Sequence, residues 1–134
     1  MVFDVRAHQN LMEISRLTEP QRQAVIDLLI LAMYADGHLD LGENARLQRL
    51  LTSMGVDTEY DRDRLLDEAI TRLRPCEQNA TLARARAVQL AQSFTDAEQC
   101  RGVYQVIEQQ MNSDTSVVPA EHEFLSAMRT AWGL

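Results

Sequence analysis

The chain has 134 residues, enough for one domain with one hydrophobic core but too few for two unaided domains. With 46% hydrophobic and 25% charged residues, its composition excludes the collagenous, low-complexity and disordered classes. Twenty acidic against thirteen basic residues give a net charge of −7, which repels phosphate backbones, so no nucleic-acid partner is expected.

The apolar residues recur every three or four positions and never alternate over the length of a strand. The sequence therefore predicts an all-α fold of about seven helices in a compact bundle. The first helix runs from about residue 4 to 17. Thr18 caps the second, because Gln21 follows it at the spacing of a capping box. Asp40 opens the third helix, and Gly55 ends it in a left-handed conformation.

Four further helix starts follow along the chain. Asp57 is the expected cap of the fourth helix and Asn79 that of the fifth. Thr95 with Glu98 predicts a capping box for the sixth, and Pro119 stands at the first position of the seventh. The side chains expected in the core are Val25, Leu28, Leu29, Ala32, Met33, Leu47, Leu50, Leu51, Met54, Leu65, Leu66, Ala69, Ile70, Leu73, Leu82, Ala83, Val88, Ala91, Val103, Val106, Ile107, Met111, Phe124, Leu125, Met128 and Trp132.

A weak internal repeat relates two parts of the single predicted domain, residues 1–134. The copies span about 19–54 and 97–132, at an offset of 78 positions. Each copy is predicted to contain a helix, a short loop that begins at an aspartate, and a second helix with a glutamate in its first turn. The repeat predicts two helical hairpins related by an approximate two-fold axis.

Carboxylates recur at the same spacing in both copies, as Asp36 with Glu43 and Asp114 with Glu121. Asp36 and Asp114 each follow a predicted helix, where the helix dipole disfavours a negative charge. If the hairpins pack together, these four acids and Asp40 share one region, and a cation or a basic partner would relieve their repulsion. Ordinary helix capping by Asp40, Glu43 and Glu121 is the alternative, and the residues alone leave both open.

The candidate ligands are all oxygens, which favours Ca²⁺ or Mg²⁺ over Zn²⁺. The spacing is not that of an EF-hand, because Leu47 stands where the bidentate glutamate would be needed. His38 and His122 flank the acids without the spacing of a zinc site.

The stretch AMYADGHLDLGE, residues 32–43, resembles the signature of the TerB-like domains, which are linked to tellurite resistance and also occur in DjlA-type co-chaperones. The resemblance implies an all-helical fold whose acidic positions chelate metal. It assigns Asp36, Asp40 and Glu43 to the first motif, and Asp114 and Glu121 to the second. Val118 replaces the middle aspartate in the second copy, which weakens that half-site.

The leading functional prediction is a non-catalytic module that binds a divalent cation or a basic protein partner through an acidic face, with a role in stress response implied by the resemblance. The alternatives are a metal-dependent hydrolase-type enzyme and a ligand-free scaffold that self-associates. No nucleophile triad, phosphate-binding loop or lysine is present to support other catalysis. An apolar pocket beside the acids would favour the enzyme, and a flat, solvated acidic face the module.

The chain is expected to be cytoplasmic. Its first twenty residues contain no apolar leader segment, and its longest uncharged apolar stretch, residues 28–35, is far shorter than the ~18 residues that span a bilayer. Cys76 and Cys100 lack the spacing of a metal or redox pair, so both are expected to be reduced, and Cys76 to be an inert loop thiol.

Overall fold

A computed structural model describes residues 17–36, 45–111 and 119–134. For residues 36, 46, 120 and 121 within these ranges, it describes the backbone but not the side chain. The elements in these ranges are six α-helices, with a 3-10 turn between the third and fourth. They are α1 (Glu19–Asp36), α2 (Ala45–Ser53), α3 (Glu59–Leu73), the turn Arg74–Cys76, α4 (Ala80–Ala91), α5 (Ala97–Met111) and α6 (Pro119–Trp132). The all-α prediction is confirmed, and the first predicted helix, at 4–17, lies outside the described residues.

Three of the predicted helix ends are confirmed. The Gln21 amide donates to the Thr18 hydroxyl oxygen at 3.3 Å, and the Thr18 amide donates back to the Gln21 side chain at 3.1 Å, which completes the capping box. The Asn79 side chain accepts from the Leu82 amide at 3.0 Å and so caps α4. Gly55 has φ +93° after α2, a conformation that glycine adopts without steric cost.

Two predicted caps are wrong by one residue. Thr58, rather than Asp57, caps α3, and its hydroxyl oxygen accepts from the Asp61 amide at 3.1 Å. Asp96, rather than Thr95, caps α5 through a carboxylate oxygen that accepts from the Glu98 amide at 2.8 Å. Both pairs offer two adjacent capping residues, and the second of each pair has the side chain that bonds the free amides of the first turn.

Helix α1 is the central element of the fold. Its ten residues from 24 to 33 are all buried, and α3, α4, α5 and α6 each pack against it. A helix that is apolar on every side can be stable only where other elements surround it. The predicted core methionines, Met33, Met54, Met111 and Met128, are all buried in the one core that these helices share.

Asp27 is a charged residue within this apolar helix, and its side chain is only 1% exposed. Its carboxylate receives two hydrogen bonds from the Arg72 guanidinium of α3, at 2.7 and 3.4 Å. The ion pair offsets the free energy that burial of an unpaired carboxylate would cost, and it fixes where α3 lies along α1.

One end of the bundle, here called the Ser93 end, gathers the start of α1 and the ends of α2, α4 and α6. Arg22 donates to the Met54 carbonyl at 3.2 Å, and Gln21 donates to the Ser93 carbonyl at 3.1 Å. The Trp132 indole N–H donates to the Ala91 carbonyl at 2.9 Å. The opposite ends of α1, α4 and α6 must therefore meet at the far side of the bundle.

The two copies of the repeat contact each other at equivalent positions. The side-chain nitrogen of Gln21 donates to the side-chain oxygen of Gln99 at 3.5 Å, and these residues are 78 positions apart. The caps of their helices, Thr18 and Asp96, have the same separation. A residue near a two-fold axis lies beside its own equivalent, as Gln21 and Gln99 do, and the two-fold relation between the hairpins stays a prediction.

Two core predictions are wrong, because Leu82 and Val88 on α4 are 42% and 37% exposed. Four other predicted core residues are partly buried and pack against the core: Leu65, Ile70, Leu125 and Trp132. The side chains by which α4 enters the core are Ala83, Ala87 and Ala91. These alanines repeat every fourth residue, and their small size lets α4 lie close to α1 and α6 while Leu82 and Val88 face outward.

Candidate functional site

The five predicted metal ligands lie largely outside the described residues. Asp40, Glu43 and Asp114 fall in the ranges that the structure leaves out. The backbone of Asp36 forms the last residue of α1, and that of Glu121 belongs to the first turn of α6. The structure does not describe the side chains of Asp36 and Glu121, so the coordination of a metal ion by these residues stays a prediction.

The ends of α1 and α6 that carry these two acids meet at one cavity of about 240 Å³. Ala35, the residue before Asp36, contributes to its wall, and so does Glu123, two residues after Glu121. The structure thus brings one predicted acid from each copy of the repeat to the same end of the bundle. The cavity is lined by Tyr34, Ala35, Cys76, Glu77, Gln78, Asn79, Ala80, Ala83, Arg84, Glu123 and Phe124. This region is called the Cys76 end.

Tyr34 lines this cavity with part of its side chain, and its hydroxyl is buried beside it. It is shielded from solvent and has no hydrogen-bond partner among the described residues. Burial raises the pKa of Tyr34, the negative charge of Glu77 and the Cys76 thiol raise it further, and Arg74 partly opposes them. The phenol is therefore neutral at physiological pH, with both its donor and its acceptor capacity unused.

Cys76 is buried at the cavity wall with a free thiol. Burial raises the pKa of this thiol, and the nearby Arg86 opposes the shift only in part. A thiol with a raised pKa is protonated at neutral pH and is a poor nucleophile. This environment agrees with the prediction of an inert thiol.

The rim of the cavity carries charged residues of both signs. Arg84 and Glu123 form an ion pair at 3.5 Å, but both side chains are substantially exposed, so the pair contributes little stability. Glu77 has no ion-pair partner among the described residues. The lining holds one arginine and two glutamates, and Arg74 and Arg86 lie near enough to act on Tyr34 and Cys76.

A wider and more open groove of about 530 Å³ lies between α4 and α6, with Arg84 and Glu123 in its wall as well. The rest of its lining is Val88, His122, Ser126, Ala127, Thr130 and Ala131. Its side chains are mostly small, and the exposed Val88 is its main apolar feature. The Arg84–Glu123 pair therefore borders both concave regions.

Over the ranges that the structure covers, no cluster of three or more histidine, cysteine or acidic side chains is arranged to hold a metal ion. Within those ranges, no helix is both long and apolar enough to cross a bilayer. Comparison of the chain with protein-family models, curated proteins and solved structures finds no match.

Sequence reasoning missed the residues that shape this cavity, above all Tyr34, Glu77 and Phe124 as a group. They belong to three different elements, and no spacing in the sequence links them. The only available signal was local, because Tyr34 stands two residues before the predicted ligand Asp36.

Proposed function

We propose that the protein is a non-catalytic binding module that takes a divalent cation, or a basic surface of a partner protein, at the Cys76 end of the bundle. The observation that carries the proposal is the shared cavity wall, where the last turn of α1 and the first turns of α6 meet. Asp36 and Glu121 belong to these two turns. The resemblance to TerB-like domains supports the same assignment and is the sole basis for a link to tellurite or chemical stress.

The electrostatics of α1 favour a cation at this end. The C-terminus of a helix carries a partial negative charge, which basic residues in the last turn usually balance. The last turn of α1 contains no basic residue, and Asp36 adds a full negative charge there. A bound cation would neutralise both, with Ca²⁺ or Mg²⁺ preferred by oxygen ligands.

The test is a thermal and urea unfolding series on chelator-treated protein. Saturating Ca²⁺ or Mg²⁺, at a hundredfold excess over Kd, should add about 2.7 kcal/mol to the free energy of unfolding. The Asp36→Asn/Glu121→Gln variant should fold and lose this response. The charge-matched control Asp57→Asn/Glu98→Gln, with both changes near the Ser93 end, should keep it.

Absence of any shift with millimolar Ca²⁺, Mg²⁺, Mn²⁺ or Zn²⁺ would exclude the metal site. Binding of an arginine-rich peptide, weakened by salt and by the same double variant, would then support the basic-partner form. If neither probe distinguishes the double variant from its control, the proposed function is wrong.

The apolar cavity beside Asp36 and Glu121 also favours a second candidate, a metal-dependent hydrolase, since catalytic sites are usually concave and apolar with a few polar groups. Hydrolysis of activated phosphate and acyl esters in the presence of Mg²⁺ or Mn²⁺ would reveal it. Turnover by the wild type that disappears in Asp36→Asn/Glu121→Gln would replace the non-catalytic assignment.

A further inference from the structure

Helices α4 and α6 lie side by side and run in the same direction. The side chains of Arg84 and Glu123, near the starts of the two helices, lie 3.5 Å apart. At the other end, the indole of Trp132 donates to the Ala91 carbonyl at 2.9 Å, and these are the last residues of α6 and α4. The open groove of about 530 Å³ between the helices therefore runs from the Cys76 end towards the Ser93 end.

The groove contains both a projecting apolar side chain and a wall that can receive one. Val88 on the α4 wall is 37% exposed. It follows Arg84 by four residues, as Ala127 follows Glu123, so Val88 and Ala127 lie at similar heights on opposite walls. The α6 wall at this height consists of small side chains, namely Ser126, Ala127, Thr130 and Ala131. An interface with two-fold symmetry needs both halves of each contact on the same copy, and this groove has both.

The charges of the groove are also self-complementary. The chain carries a net charge of −7, which opposes the association of two copies over most surfaces. Among the side chains that the structure describes, the groove lining has one arginine and one glutamate, which balance each other. The side chain of Arg84 is 43% exposed and that of Glu123 is 60% exposed. Each can therefore meet a second group of opposite charge without leaving the first.

This arrangement of charge favours a second copy over other occupants. A basic segment in the groove would lie beside Arg84, and an acidic segment would lie beside Glu123, so each would be repelled at one wall. A second copy brings a glutamate to the arginine and an arginine to the glutamate. It also brings a projecting valine to the wall of small side chains.

From the shared direction of the two walls, the exposed valine opposite small side chains and the exposed ion pair, we infer that this groove is the contact surface of a reversible homodimer. A two-fold axis parallel to α4 and α6 places α4 of each copy against α6 of the other. Val88 then packs against Ala127 of the second copy, and Arg84 lies beside Glu123 of the second copy. The apolar contact is small, so we expect a dissociation constant in the micromolar range.

Sedimentation equilibrium from low micromolar to millimolar chain concentration tests this inference and should show a monomer–dimer equilibrium. Val88→Asp places a charge in the contact and should weaken the dimer at least about tenfold. The matched control Tyr60→Asp adds the same charge at a side chain of α3 that is 77% exposed, and it should leave the dissociation constant unchanged. Circular dichroism of both variants checks that they stay helical.

An exchange of charge tests the arrangement of the two copies. Arg84→Glu and Glu123→Arg each bring like charges together, so each variant alone should dimerise at least about tenfold more weakly than the wild type. An equimolar mixture of the two variants should associate like the wild type, because each chain then meets the opposite charge on the other. Glu123→Arg replaces −1 by +1 and so changes the net charge of −7 to −5, which means that overall repulsion cannot explain its weaker association.

A wild-type chain that stays monomeric up to millimolar concentration would overturn the inference. So would a dimer that is unchanged by Val88→Asp, which would place the contact elsewhere, or a mixture that fails to associate, which would exclude the parallel arrangement. Val88→Asp should keep the Ca²⁺ response of the wild type, because Val88 lies outside the cavity at the Cys76 end. Failure of the dimer can therefore be told apart from failure of the proposed metal site.

Discussion

Helices α1 and α4 pack against each other, yet they are stabilised in different ways. Ten consecutive residues of α1 are buried, including its one charged residue in that range, Asp27. In α4 only Ala83, Ala87 and Ala91 are fully buried, and the larger Leu82 and Val88 face outward. Substitutions in α1 should therefore reduce stability through cavities and unpaired charge, whereas α4 should be sensitive to added volume on its alanine face.

The largest expected effect is the removal of core volume from α1. Leu29 is completely buried, and Leu29→Ala should lower the free energy of unfolding by about 2–5 kcal/mol through lost burial and a residual cavity. Leu82→Ala on α4 should change it by less than about 0.5 kcal/mol, because Leu82 is exposed. Urea denaturation of both variants measures the difference, and equal midpoints would remove the contrast between the helices.

The next effect concerns the buried charge of α1. Arg72→Ala should cost about 3 kcal/mol, the lower end of the range for breaking a buried pair, because the Arg72 side chain is 32% exposed. The double variant Asp27→Leu/Arg72→Met should recover most of this loss, since it leaves no unpaired charge. Urea unfolding of both variants tests this, and a double variant as unstable as Arg72→Ala would show that the pair has another role.

A smaller effect is expected on the alanine face of α4. Ala87 is completely buried, so Ala87→Leu should force α4 away from its neighbours and cost about 1–3 kcal/mol. Ala85→Leu adds the same volume at an exposed position of the same helix and should change stability by less than about 0.5 kcal/mol. Calorimetric melting should separate the two variants, and similar melting temperatures would mean that α4 packs loosely.

The last expected effect is a loss of stability at alkaline pH. Burial raises the pKa of the Cys76 and Cys100 thiols above their ordinary value of 9.0. As pH rises through that value, the unfolded chain loses these protons before the folded chain does, so the free energy of unfolding falls. The stabilisation is fully present at lower pH. In a urea series from pH 8 to pH 10, Cys76→Ala/Cys100→Ala should show a shallower decline than the wild type.

The sequence predicted the fold where local signals and burial agree. The capping residues Thr18 and Asn79 were predicted because each can bond the first-turn amides of its own helix. Leu82 and Val88 were misplaced because the three- and four-residue spacing of α4 is compatible with either face being buried. The choice between faces depends on how closely α1 approaches, which is a tertiary property.

The candidate site was predictable only in part. The repeat predicts that Asp36 and Glu121 share one region if the hairpins pack together. The turns that contain them meet at the Cys76 end, and the approach of the two side chains stays a prediction. The cavity itself joins Tyr34, Glu77 and Phe124 from three elements, and side chains so far apart in sequence give no periodic signal. Buried groups without partners become visible only once the helices are assembled.

The position of Trp132 gives the protein a built-in optical reporter. It is the only tryptophan in the chain, and its indole packs edge-on against the Phe94 ring, with centroids 6.1 Å apart, at the Ser93 end. Its fluorescence emission maximum should shift to longer wavelength when the ends of α4 and α6 separate. It should stay constant when a ligand binds at the Cys76 end. Fluorescence can thus verify that a variant at the Cys76 end is folded without interference from the binding event being measured.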